Sequence, residues 1–208
     1  RFIIALWGLE TNFGMYLGKF HAPSALATLA FDGRRGEFFR KELFNALKII
    51  DEGHISANNM KSGWAGAIGQ AQFMPSSFLS YAQDWDGDGK KDLWDNEKDV
   101  FASIAFYLKS ADWKNDITWG RQVLLPEDKN VIKLAKNKKY LTLREWESLG
   151  VRNLDGSLLP ERNLTARLIT SETSKIAFLG YSNFDSILKW NRSIYFAASV
   201  GRLSDALR

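Results

Sequence analysis

The 208-residue sequence has no cysteine, which excludes a disulfide framework and any thiolate metal site. It has two histidines, His21 and His54, and their spacing is not the H-E-x-x-H of a zinc hydrolase. There is no G-x-S-x-G elbow either, so metal-dependent hydrolysis and Ser–His chemistry have no carrier. No G-x-x-x-x-G-K-[ST] run occurs, which argues against a phosphate cradle. No apolar run is long enough to span a bilayer. The chain opens on Arg1-Phe2-Ile3 with neither Met nor a basic-then-apolar leader, so it reads as a fragment, with any signal peptide or anchor upstream of Arg1. What is present is 45% hydrophobic, enough for a substantial core, and carries a net charge of +4. That charge suits an anionic partner, with nucleic acid and an anionic cell-wall glycan both open.

The first informative stretch is Ala5-Leu-Trp-Gly-Leu-Glu-Thr-Asn-Phe-Gly14. Phe2, Ile3, Ile4, Ala5, Leu6, Trp7 and Leu9 make a helix that is apolar all round, which predicts a buried core helix. Glu10 lies at i+7 from Ile3 and i+3 from Trp7, on an apolar face with them. Burial there disfavours the charged carboxylate and raises its pKa, so Glu10 is a candidate general acid. From this helix alone, a Glu that caps a neighbour or pairs with an Arg fits equally well.

Further along, Pro23-Ser24 opens a helix through Phe31, and Asp32-Gly-Arg-Arg-Gly36 ends it. The pair Arg34 and Arg35 reads first as solvated charge. Phe39, Leu43, Ala46, Leu47 and Ile50 fall at i, i+4, i+7, i+8, i+11 and predict a second helix stopped by Gly53. In Met60–Phe78 the glycines Gly63, Gly66 and Gly69 permit close backbone approach, and Gln72, Phe73 and Met74 follow. An amide, an aromatic and a thioether beside a Gly-rich wall suit a sugar; a tight helix–helix crossing explains the glycines as well. Pro75-Ser76-Ser77 begins another helix.

In Asp84-Trp-Asp-Gly-Asp-Gly-Lys-Lys-Asp-Leu-Trp-Asp95, residues Asp84, Asp86 and Asp88 take positions 1, 3 and 5 of an EF-hand-type loop, with Gly89 at the turn position 6. Lys90 can offer its carbonyl at position 7. Position 12 is Asp95, shorter than the usual Glu, so either it reaches poorly or Asp99 closes a longer loop. We read a hard-cation loop of structural use. A helix from Asp99 to Leu108 then carries Val100, Phe101, Ile104, Ala105 and Leu108 inward, with Phe106 and Tyr107 on its other side. Residues 119–126 and 164–170 alternate as strands, and 143–149 form a short helix. Lys129, Lys133, Lys136, Lys138 and Lys139 read as a solvated helix face. The organisation expected is a core over 1–115 with its cation loop at 84–99, a small α+β insertion over 116–180, and a helical return over 181–208, broken near Trp190-Asn191-Arg192-Ser193.

Glu10-Thr-Asn-Phe-Gly14, Gly66-Ala-Ile-Gly-Gln-Ala-Gln-Phe-Met-Pro-Ser-Ser-Phe78 and Asp86-Gly-Asp-Gly-Lys-Lys-Asp-Leu-Trp94 occur in that order. Together with Leu26-Ala-Thr-Leu, Arg34-Arg35 and Trp190-Asn-Arg-Ser-Ile-Tyr195, they resemble the catalytic region of the membrane-bound lytic transglycosylase B family, enzymes that cleave bacterial peptidoglycan. The resemblance implies an α+β, mainly α, lysozyme-like fold with Glu10 as its one catalytic carboxyl. It implies cleavage of the β-1,4 bond between N-acetylmuramic acid and N-acetylglucosamine, with 1,6-anhydro products. Inverting and retaining glycosidases need a second carboxylate; here the attacking hydroxyl belongs to the substrate. The near rivals are a hydrolytic muramidase and a non-catalytic peptidoglycan-binding domain.

By position, the resemblance makes Arg34 and Arg35 a cleft pair that could meet peptide carboxylates. It places Gln72, Phe73 and Met74 on the sugar-contacting wall, Tyr107 on the cleft side and Asn191 as a polar cleft residue. Asp84, Asp86, Asp88, the Lys90 carbonyl and Asp99 match the family's calcium loop. No organic cofactor is implied. The implied partners are peptidoglycan glycan strands, not nucleic acid, with room for other cell-wall enzymes and for outer-membrane attachment through an upstream segment. The implied location is the periplasm or cell envelope. Two positions depart from the family: Gly63 stands where it has Ser, with Ser62 one step earlier, and Phe196 where it has a cleft Tyr, with Tyr195 beside it.

Overall fold

The computed structural model describes residues 1–136, 139–170 and 177–207. The fold divides into two compact units, Arg1–Tyr107 with Ser204–Arg208, and Leu108–Leu203. The boundaries expected at 115 and 180 are therefore displaced, and most of the C-terminal helical part groups with the sheet. Among the described residues no helix is long and apolar enough to cross a membrane.

The first unit is helical. Helix α1 (Phe2–Thr11) buries only Ala5, Leu6 and Thr11. Leu9 is 40% exposed and Glu10 half-buried, so the enclosed core helix expected from its composition is instead seated on one side. A short strand β1 (Phe20–His21) leads into α2 (Ala22–Asp32), which has Pro23 in its first turn and ends at Gly33. Helix α3 (Gly36–Asp51) packs along α2. Its buried stripe is Phe39, Glu42, Ala46 and Ile49, while Leu47 is exposed. The stripe is thus turned away from the apolar pattern because a carboxylate sits within it.

Strand β2 (Lys61–Ser62) pairs antiparallel with β1. After it come α4 (Pro75–Tyr81) and α5 (Glu97–Ser110). Glu42 holds the start of α4 from outside: its Oε2 accepts the Ser76 N–H at 2.8 Å and its Oε1 the Ser76 hydroxyl at 2.6 Å. This satisfies a helix donor that has no partner within its own helix. In α5 the buried positions are Asp99, Val100, Ser103, Ile104 and Leu108. Ala105 is exposed and Phe101 half-buried, against the expected inward pair. The polar members of the stripe are satisfied, Ser103 Oγ accepting the Gln83 N–H at 2.8 Å.

The second unit is built on an antiparallel sheet of β3 (Gly120–Leu124), β4 (Tyr140–Thr142), β5 (Arg152–Asn153), β6 (Thr165–Ile169) and β7 (Ala177–Gly180), in the order β4-β6-β7-β3-β5. Helices α6 (Lys129–Lys136) and α7 (Leu143–Ser148) accompany it, and α8 (Ser182–Trp190) and α9 (Ile194–Ala206) follow. The strands expected at 119–126 and 164–170 are β3 and β6, and the short helix is α7. Thr142 and Glu145 form a capping box at its start. Val123, Leu143, Trp146, Leu168 and Leu179 are among the core, and the Trp146 indole donates to the Ala166 carbonyl at 2.8 Å. Of the lysine-rich face, Lys133 is exposed and bonds Asn130 at 3.0 Å; Lys138 and the side chains of Lys129 and Lys136 lie outside the described residues.

Glu42 gives the first prediction. Glu42→Ala strips α4 of its external cap and should lower unfolding stability by about 1.5–3 kcal/mol, the range for hydrogen bonds to a charged group, measured by urea titration.

Candidate active site

Glu10 stands in the last turn of α1, and the chain leaves that helix by an unusual route. Asn12, Phe13 and Gly14 all take positive φ (50°, 58° and 79°). Such a conformation costs an L-residue about 1–2 kcal/mol, so surrounding contacts must impose it. Thr11, beside Glu10, supplies one: its hydroxyl donates to the Gln70 carbonyl at 2.9 Å and accepts the Gly14 N–H at 3.1 Å. The Trp7 indole donates to Gln70 Oε1 at 2.7 Å. Trp7 is also held edge-on between the rings of Phe13 and Phe101, at 5.4 and 5.0 Å. At Gly14 a Cβ would run into the Gln70 amide, so a glycine is needed there for space as well as for φ.

Residues 63–74 form the surface that receives this helix end. They fold as tight turns with bridges from Ile68 to Ser62 and to Phe73, not as a helix crossing. Gly66 turns at φ +84° in a place where a Cβ would strike Leu26 of α2. Gln72 is half-buried with φ +47°, and its amide donates to the Gly69 carbonyl at 3.0 Å and the Leu17 carbonyl at 3.4 Å. Phe73 is 3% exposed, its ring 5.8 Å from that of Tyr107. It therefore forms the floor beneath the wall and does not present an open face. Met74 is half-buried at the start of α4. Tyr107 is half-buried with Tyr81 at 4.6 Å; burial first, then Tyr81, pushes its phenol above the ordinary value.

Arg34 and Arg35 are exposed on the turn between α2 and α3. Arg35 has φ +63° and its guanidinium lies 4.1 Å over the Phe38 ring. Asn191 belongs to the second unit, directly after α8, with its Oδ1 accepting the Ser193 N–H at 3.0 Å. At the first departure, Ser62 is fully buried and its hydroxyl donates to the Phe20 carbonyl at 3.4 Å. It is turned into the β1–β2 pair and does not replace a hydroxyl at Gly63. At the second, Phe196 is half-buried and Tyr195 is 81% exposed.

The acidic loop draws together Asp84, Asp86 and Asp99, whose carboxylate oxygens lie within 4.8 Å of one another. Asp99 is fully buried and accepts the Trp85 and Asp92 N–H groups, each at 2.8 Å. Asp84 accepts from Gly87 and Gly89. Asp88 stands outside the trio because its Oδ1 closes a local turn onto the Lys90 N–H at 2.8 Å. Asp95 is exposed and stands outside the trio, which Asp99 completes. Oxygen-only donors and one enclosed carboxylate fit a hard cation such as calcium.

Sequence reasoning passed over Trp7, Thr11, Glu42 and Gln70. The one signal for Gln70 was an amide directly after Gly69, two residues before Gln72, in an otherwise apolar turn.

A mostly helical chain with a small antiparallel sheet is matched by solved lytic transglycosylases of lysozyme-like fold. SltB3 from Pseudomonas aeruginosa, in complex with NAG-anhNAM-pentapeptide, matches with TM-score 0.94 and 40% identity over 99% of this chain and 55% of its own. Escherichia coli Slt35 in complex with calcium matches with TM-score 0.81 and 30% identity, over 99% and 64%. The membrane-bound lytic murein transglycosylase B of Escherichia coli K12 is 33% identical over 208 residues, 99% of this chain and 56% of that protein. The Transglycosylase SLT domain family model matches residues 1–205, and the chain belongs to that family. It spans between 55% and 64% of the length of these relatives.

His54 ties the acidic loop to pH. Its Nδ1 accepts the Lys91 N–H at 3.2 Å, and burial, followed by the Lys91 charge, holds its pKa below the ordinary 6.5. A lowered folded-state value means that the unfolded chain takes the proton first. This contribution is therefore complete above about pH 6.5 and is lost as pH falls below it. His54→Gln, which can accept the same N–H without titrating, should flatten the melting-temperature profile between about pH 6.5 and 5.

Proposed function

We propose that this chain is the catalytic part of a lytic transglycosylase acting on peptidoglycan, with Glu10 as both acid and base. The carrying observation is the placement of Glu10: half-buried at the end of a helix fixed on the 63–74 turns, in a chain whose relatives are lytic transglycosylases. Glu10 donates its proton to the glycosidic oxygen of the leaving N-acetylglucosamine as the bond to C1 of the muramoyl residue breaks. The resulting carboxylate removes the proton from that residue's C6 hydroxyl, whose oxygen bonds to C1. Glu10 ends protonated, as it began, and the product carries a 1,6-anhydro ring. No water enters, so no second carboxylate is required.

Gln72, Met74 and Tyr107 form the wall against the sugar over the Phe73 floor. Arg34 and Arg35 are exposed cations suited to stem-peptide carboxylates. SltB3 bound to NAG-NAM-pentapeptide supports a glycan with a peptide stem as the ligand. The cell envelope is the setting we infer from the membrane-bound relative. Asp84, Asp86 and Asp99 would hold calcium, with the Lys90 carbonyl as a further donor. Calcium there would supply neutralisation of three close carboxylates and hold the loop closed, apart from the reaction.

Glu10→Gln keeps the side chain's shape but removes the proton. Release of soluble fragments from purified peptidoglycan should fall about 10²–10⁴-fold with folding intact; retained activity would contradict the assignment. Removing calcium with EDTA should lower the melting temperature by several degrees without changing product identity, because a ligand of the folded state alone stabilises it. An unchanged melting temperature would contradict a calcium loop.

A further inference from the structure

We infer that Gln70 is a positioning residue that couples the cation loop to the helix bearing Glu10, so that cation binding sets the rate as well as the stability. The inference rests on the function proposed above. Gln70 is 7% exposed, yet it is not merely a filled position, since every polar group it owns joins one of two structures. Toward α1, its Oε1 accepts the Trp7 indole at 2.7 Å and its carbonyl accepts the Thr11 hydroxyl at 2.9 Å. Toward the loop, its Nε2 donates to the Trp94 carbonyl and its backbone N–H to the Leu93 carbonyl, at 2.8 and 2.7 Å. Trp94 in turn donates its N–H to Asp92 Oδ1 at 2.8 Å, and the Asp92 N–H donates to Asp99 Oδ2 at 2.8 Å. Asp99 is the buried member of the carboxylate trio.

The path from cation to acid is therefore Asp99, Asp92, Trp94, Gln70, then Trp7 and Thr11, the latter adjacent to Glu10. Each link is a hydrogen bond between groups that are buried or partly buried, so breaking one leaves a costly unpaired group and the links move together. The segment that leaves Glu10 is also held in three successive left-handed residues, with Gly14 against the Gln70 amide. Cation binding that draws Asp99 toward Asp84 and Asp86 thereby fixes Trp94, and through Gln70 the end of α1. Displacing an acid from its reacting oxygen by a fraction of an ångström lowers the turnover number more than substrate affinity.

The test uses calcium alone as the probe, with wild type, Gln70→Met and Trp7→Phe. Gln70→Met keeps length and volume but loses both side-chain hydrogen bonds; Trp7→Phe keeps a ring but loses the indole donor. In wild type, calcium should raise the melting temperature, shift the Trp7 indole N–H resonance (assigned by its loss in Trp7→Phe), and raise kcat on soluble glycan strands about fivefold with KM unchanged. In both variants the gain in melting temperature should persist while kcat no longer rises with calcium. A variant whose kcat still responds to calcium as wild type does would overturn the inference, as would a wild-type indole resonance unmoved by calcium. Should Gln70→Met fail to fold, Trp7→Phe carries the same comparison. A wild type that makes no anhydro products sinks the proposed function, and the indole resonance in wild type and Gln70→Met then still decides whether the link exists.

Discussion

The side-chain amide of Gln70 is the constraint around which the helical unit closes. A buried amide left without partners costs as much as a substantial fraction of a domain's net stability, so its position is fixed by whatever satisfies it. Here the partners are Trp7, 63 residues away in the chain, and the Trp94 carbonyl, 24 residues away. These bonds bring the end of α1 and the segment following the acidic turn onto one loop. The left-handed run at Asn12, Phe13 and Gly14 is tolerable because this arrangement over-determines it.

Seen from that centre, the two chemical features of the unit are parts of one construction. Asp99 is buried with its carboxylate taking two backbone N–H groups, and those groups, of Trp85 and Asp92, belong to the acidic loop itself. Glu42 caps the start of α4 from a neighbouring helix, and Gln70 accepts the side-chain donors of Trp7 and Thr11 from α1. Polar groups inside this unit fix where its elements end; apolar burial alone would leave those ends free to slide.

The sequence made the elements legible where one period dominated. The helix opened by Pro23, the strands at Gly120–Leu124 and Thr165–Ile169 and the short helix with its Thr142–Glu145 capping box all follow from local chemistry. The buried faces were harder to read. In α3 and α5 the inward stripes contain Glu42, Asp99 and Ser103, polar residues whose burial depends on partners in other elements, which periodicity does not reveal. The apolar sequence of α1 misled in the opposite sense, because hydrophobic residues are also found on protein surfaces. At the site, Glu10 and the acidic loop were marked by motif. Gln70 was not, because its four hydrogen-bond partners, Trp7, Thr11, Leu93 and Trp94, are distant in sequence. Asp88 matched its motif position, yet its carboxylate turns onto its own loop.

One carboxyl group performing both proton transfers is the central claim, and the mass of the products tests it most directly. Soluble fragments released from purified peptidoglycan by the wild-type chain should end in 1,6-anhydromuramoyl residues, lighter by one water than the fragments a hydrolase leaves. Fragments of full mass with reducing ends would contradict the account and require an activated water and a second acidic group to deliver it.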